Sequence, residues 1–140
     1  MNQNQIFGPM LTLMALTFVV WVYMYAKRIP FIRSLDLETN EVTPAELARR
    51  SPPSVSNPSD NLKNLFEVPV IFYALVIYLY VAERVDNVYL VAAWAFVLFR
   101  VLHSAVHCTI NVVILRFALY AVSSVIMFLM LVRALIGYFF

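Results

Sequence analysis

The run Val112–Tyr138, VVILRFALYAVSSVIMFLMLVRALIGY, carries only two charges, Arg116 and Arg133, one toward each end. A helix needs about 20 mainly apolar residues to cross roughly 30 Å of hydrocarbon, and this run is longer than that. Inside a bilayer no water satisfies the backbone, so N–H and C=O groups must pair within the segment. The run is therefore a helix, and its β-branched and aromatic residues do not change that. Three other stretches read the same way: Phe7–Ala26, Pro58–Ala82 and Val88–Thr109. Pro9 is tolerated in a first turn, where its missing N–H has no partner to lose. Pro58–Ala82 is polar in its first third and apolar after Glu67. The expectation is an all-α, integral membrane four-helix bundle forming one domain over residues 1–140.

Composition supports this. Of the 140 residues, 63% are hydrophobic and 13% charged, against about 25% charged in a soluble domain, so most of the surface does not face water. A net charge of +2, spread along the chain, is too small and too dispersed to argue for nucleic acid, and no nucleic-acid partner is expected. The single cysteine, Cys108, excludes an intrachain disulfide and a cysteine-only metal cluster. The first run has no basic start and no small-x-small cleavage site, and it ends in Lys27-Arg28. It reads as a retained span rather than a signal peptide.

Only the first connection, Lys27–Asn57, is long. Within it Thr43-Pro44-Ala45-Glu46 is a capping box with proline at the first helical position. The pattern predicts one short helix over Pro44–Arg50, stopped by Ser51-Pro52-Pro53. This connection and its flanks hold Lys27, Arg28, Arg33, Arg49, Arg50 and Lys63, whereas the second connection has only Arg84 and the C-terminal end only Arg133. Basic residues mark cytoplasmic loops, so both termini are expected outside and the long loop in the cytoplasm.

Ionisable groups in a span are costly and default to functional or packing roles. Asp60, Asn64 and Glu67 form one stripe on the second span; Arg100, His103, His107 and Asn111 form another on the third. Arg116, Tyr120 and Ser123 or Ser124 form one more on the fourth, at helical spacing. All three stripes fall in the same half of the membrane and predict one polar cavity. The plainer readings are a buried Glu67–Arg100 pair that fixes register, headgroup-wetted Asp60, Lys63 and Arg116, and packing serines. His103 and His107 are one turn apart, a zinc-compatible spacing with Glu67 or Cys108, but the His-Glu-x-x-His pattern is missing because Ser104 follows His103. No metal is expected. A proton relay or small transporter would use Glu67, Arg100 and His107, yet no inverted repeat is visible.

The segment Asp60-Asn-Leu-Lys-Asn64-Leu-Phe-Glu67-Val-Pro69 resembles the signature of the MAPEG family, membrane-associated proteins of eicosanoid and glutathione metabolism. That signature is an Arg, then Asn four residues on, then Glu three further, shortly before a proline. Arg100-Val-Leu-His103, followed by Arg116 sixteen residues after Arg100, resembles the family's Arg-x-x-His and its thiol-stabilising arginine. The resemblance covers the whole chain, as a divergent bacterial-type member. It implies a homotrimer in a bacterial inner membrane, binding glutathione as co-substrate between subunits and accepting lipophilic substrates from the surrounding lipid. The activity implied is that of a glutathione transferase or peroxidase, the alternative being a non-catalytic lipid-binding or regulatory relative. Carried over residue by residue, Arg116 would be catalytic, and Asn64, Glu67, Arg100, His103, His107 and Tyr120 would bind glutathione. His107 stands where other members often have tyrosine. The departure is Asp60, which occupies the place of the signature arginine; Lys63, Arg33, Arg49 or Arg50 would have to compensate, and Lys63 joins the binding set for that reason.

Overall fold

The computed structural model describes residues 2–35 and 43–139. Residues 36–42 of the long first connection lie outside them. A short 3-10 turn, Gln3–Ile6, leads into α1 (Phe7–Ser34), followed by α2 (Pro44–Arg50), α3 (Pro53–Asn64), α4 (Val68–Val81), α5 (Asn87–Cys108) and α6 (Val113–Phe139). The described residues contain helices and no strands, and four segments are long and apolar enough to cross a membrane.

Three boundaries differ from the sequence expectation, each for a stated reason. The first helix does not stop at Ala26 but continues through Lys27, Arg28 and Pro30 to Ser34. At about 1.5 Å per residue its 28 residues reach about 42 Å, longer than the hydrocarbon, and a helix outside the bilayer has no need of apolar side chains. The second span starts at Pro53 rather than Pro58, with Pro53 as its first helical residue. That span is also broken. Residues Leu65–Glu67 leave the helix and α4 restarts at Val68. Pro69 explains the break: it has no N–H to give, and its ring would clash with the carbonyl four residues back, that of Leu65. Glu67 takes φ −92° and ψ −103° at the restart.

The short helix Pro44–Arg50 forms where expected. Thr43 Oγ1 accepts from the Glu46 N–H at 3.2 Å. The Glu46 carboxylate, however, turns to Arg49 and Arg50 rather than back to the cap. Those two guanidiniums lower the pKa of the partly exposed carboxyl to about 2.

Hydrogen bonds between distant residues show which helix ends meet. Gln3 pairs with the Val85 backbone in both directions, at 3.2 and 2.9 Å, so the N-terminal turn lies on the α4–α5 connection. Arg133 near the end of α6 binds Asp86, which caps α5 through the Tyr89 N–H. At the other end Asn111 Nδ2 donates to Asn57 Oδ1 at 3.1 Å, tying the α5–α6 turn to α3. Spans consecutive in the chain are thus antiparallel. The core between them is apolar: Leu13, Phe72, Val76, Leu79, Ala93 and Phe96 are fully buried, and Phe72 packs on Phe96 with ring centroids 4.7 Å apart. Outward-facing Phe18, Phe117 and Phe128 are each more than 60% exposed, as lipid-facing side chains are.

Candidate functional site

Three local devices bring the polar stripes together. The α3–α4 break swings Glu67 out of the helix toward α6. The α5–α6 turn places Asn111 at φ 47°, a left-handed conformation that asparagine tolerates better than most side chains, and sends its amide to Arg116. The first two turns of α6 then present Arg116 and Tyr120 one turn apart.

The result is a polar pocket of about 210 Å³ lined by Asn64, Glu67, His103, Val113, Arg116, Phe117 and Tyr120. Tyr120 donates its hydroxyl to Glu67 Oε2 at 2.9 Å. His103 Nδ1 meets the Arg116 carbonyl at 3.0 Å; a carbonyl only accepts, so this nitrogen carries the proton. His103 Nε2 then accepts from Asn64 Nδ2 at 3.5 Å. Arg116 Nη1 donates at 2.8 Å to both His107 Nε2 and Asn111 Oδ1. Its other guanidinium nitrogens make no hydrogen bond among the described residues.

Five of the expected site residues, Asn64, Glu67, His103, Arg116 and Tyr120, line this pocket. Two stand behind its wall. His107, 2% exposed, backs Arg116. Arg100, fully buried, lies with its guanidinium carbon 4.5 Å over the Tyr120 ring and 5.4 Å over Phe96. The expected Glu67–Arg100 pair does not form; the ion pairs of the described residues lie elsewhere, and Arg100 instead uses aromatic faces. Its three guanidinium nitrogens are buried without a hydrogen-bond partner. Lys63 is not brought to the site. It pairs with Asp60 at 2.9 Å and lines a separate cavity with Arg28. Ser123 and Ser124 both donate back to the Tyr120 carbonyl, a helix-internal role.

Asn111, Asn57 and Asn61 carry weight that the stripe pattern alone does not reveal. Asn111 belongs to the α5 stripe, but its hold on Arg116 depends on the left-handed turn. Asn61 is fully buried, accepting from Ser104 at 3.2 Å and donating to Cys108 Sγ at 3.4 Å. Among the described residues no three His, Cys, Asp or Glu side chains gather as a metal-binding group.

Among the described residues the site holds two arginines, Arg100 and Arg116, that form no ion pair, and one carboxylate, Glu67, with an oxygen to spare. It is suited to an anion that also carries an ammonium group. The family model for MAPEG matches residues 6–136, nearly the whole chain. No curated protein and no solved structure matches it.

Proposed function

The chain belongs to the MAPEG family, and from that membership we propose that it binds glutathione at the Arg116 pocket and transfers its sulfur to lipophilic electrophiles. The observation that carries this reading is the Arg116 guanidinium, anchored among the described residues by the neutral groups His107 and Asn111 alone and opening on a polar pocket between apolar helices. Glutathione has two carboxylates and one ammonium. Glu67 Oε1 suits the ammonium, Asn64 the peptide, and the free N–H groups of Arg116 the sulfur. A free thiol, with pKa near 8.5, is about 3% thiolate at pH 7, and the thiolate is the nucleophile. Arg116 needs to favour the anion by only about 1.4 kcal/mol for a tenfold gain. The thiol proton passes to water, sulfur attacks the electrophilic carbon, and the leaving group departs with the electron pair of its bond.

At about 210 Å³ the pocket falls below the roughly 300 Å³ at which small-molecule sites begin. A second wall from a neighbouring copy in a homotrimer would complete it. Lys27, Arg28, Arg33, Arg49, Arg50 and Lys63 cluster at the pocket's end of the bundle, which supports a cytoplasmic site in a bacterial inner membrane with both chain termini outside. Purified protein with glutathione and chlorodinitrobenzene tests the reading. Release of chloride and formation of the thioether should depend on Arg116. Equal rates for wild type and Arg116→Ala would reject catalysis of this kind.

A non-catalytic lipid-binding role is favoured by one separate feature, two apolar grooves of about 580 and 420 Å³ along α6, away from the polar pocket. In that case bound lipid would co-purify, and Arg116→Ala would leave it in place.

A further inference from the structure

The contact between His107 and Arg116 is chemically one-sided. A guanidinium has donors and no acceptor, so the ring nitrogen that meets Arg116 Nη1 at 2.8 Å must offer a lone pair. His107 is therefore a neutral imidazole with its proton on Nδ1. That Nδ1 is buried and has no partner among the described residues, so nothing on its own side rewards the proton for sitting there. The contact with Arg116 alone selects this tautomer.

The same Arg116 nitrogen also donates to Asn111 Oδ1 at 2.8 Å, and Asn111 is itself held by Asn57. Nη1 carries two N–H groups, and these two acceptors use both. Nε and Nη2 are left as a defined edge of donors with no acceptor among the described residues. Two neutral acceptors, fixed from α5 and from the α5–α6 turn, thus orient the guanidinium without neutralising it. A carboxylate in either place would orient it too, but would also cancel the charge.

We propose that His107 is a positioning residue. As a neutral acceptor it fixes Arg116 so that the remaining N–H edge meets the glutathione sulfur, and protonation of His107 releases that hold. The ligand named here rests on the reading above; the pinned guanidinium does not. A protonated imidazole has two donors and nothing to offer Arg116, and it sets a second cation against the first. The charged or titratable groups acting on His107 are Arg116 of α6, His103 of α5 and Asp60 of α3. Asp60 is already engaged by Lys63, and no other carboxylate of the described residues acts on His107.

The test has two arms. Nitrogen NMR of histidine-labelled protein in nanodiscs reads the imidazole directly. The wild type should show His107 Nε2 bare and Nδ1 protonated, and Arg116→Leu should mix the tautomers. Conjugation of glutathione to chlorodinitrobenzene across pH reads the consequence. His107→Leu removes the acceptor and should slow the reaction about tenfold, the usual scale for one charge-assisted hydrogen bond. His107→Gln, whose amide oxygen accepts but does not titrate, should recover to within about threefold of wild type and should show a shallower fall in rate on the acid side, keeping only the part that protonation of the thiol itself imposes. A purely structural role would not separate Gln from Leu in this way. A proton on Nε2 in the wild type, or Gln as slow as Leu, overturns the proposal. The expected tautomer in a protein that neither binds nor conjugates glutathione overturns the ligand and leaves the pinned guanidinium standing.

Discussion

Arg100 and Arg133 each stand over a tyrosine ring on the α5–α6 pair, near opposite ends, and they are held in opposite ways. Arg133 lies 4.2 Å from the Tyr89 ring centroid and places its terminal nitrogens on Asp86 at 2.9 and 2.5 Å. Arg100 lies 4.5 Å from Tyr120, yet its guanidinium nitrogens are buried with no partner among the described residues. At the Arg133 end the cation is neutralised within the chain, and the same aspartate caps α5. At the Arg100 end Tyr120 gives its hydroxyl to Glu67, and among the described residues Arg116 has only neutral acceptors. Aromatic stacking is common to both arginines. What distinguishes them is whether a carboxylate among the described residues sits on the guanidinium. Among the described residues one end holds its counter-charge and the other does not, which is what the proposed binding of an anionic ligand requires.

Exchanging the two ends by mutation tests this contrast. The largest effect is expected at the sulfur. Arg116→Ala should cut the conjugation rate by about 100-fold, the usual cost of removing one preorganised donor from a developing anion. Arg133→Ala should leave the rate within about twofold of wild type, because a surface pair far from the pocket contributes little. Steady-state rates for both variants in one detergent decide it. Comparable losses would mean that the two ends are not functionally distinct.

Arg100 gives the next test, and here stability should move in opposite directions at the two ends. An uncompensated buried cation costs several kcal/mol of desolvation, and replacing buried charge by apolar volume is often stabilising. Arg100→Met should therefore raise the stability of ligand-free protein by about 2 kcal/mol. It should also diminish the extra stabilisation that glutathione confers through mass action. Thermal unfolding with and without glutathione reads both. If Arg100→Met instead destabilises the empty protein, its counter-charge comes from a neighbouring copy rather than from the ligand.

The sequence already foretells this contrast in part, and the limit is physical. Run length and the absence of charge suffice for the four spans, because a bilayer leaves helices no alternative. Thr43-Pro44 and Pro52-Pro53 bracket α2 at Pro44–Arg50 because cap and stop chemistry are local. The break before α4 was also legible, since Pro69 forbids the carbonyl of Leu65 its usual place, but the apolar run masks it when hydropathy is the guide. The convergence of Asn64, His103 and Arg116 follows from helical spacing and antiparallel order. Partner choice does not follow from them. Whether Arg100 meets Glu67 or the ring of Tyr120 depends on how far the break carries Glu67, and Asn111 reaches Arg116 only through a left-handed turn. Lys63, one residue before Asn64, faces Asp60 and away from the pocket, because adjacent residues on a helix point about 100° apart.

The smallest effect concerns the closed end and fixes the scale of the contrast. Arg133, with help from the Tyr89 backbone N–H, lowers the Asp86 carboxyl from its ordinary 3.8 to about 2. A depressed folded-state value means that the folded protein holds its proton less tightly than the unfolded chain does. The stabilisation is therefore complete above pH 4 to 5 and is lost as pH falls from 3.8 toward 2. Both side chains are more than 40% exposed, so solvent screening keeps the contribution below about 1 kcal/mol. Asp86→Asn should lower the unfolding midpoint slightly at pH 7, and the difference from wild type should vanish near pH 2. Asparagine still caps the helix, so the variant isolates the ion pair from the cap. Equal midpoints at both pH values would mean that the pair adds nothing beyond the cap. The completeness of that end would then rest on packing and on the Gln3–Val85 backbone bonds rather than on charge.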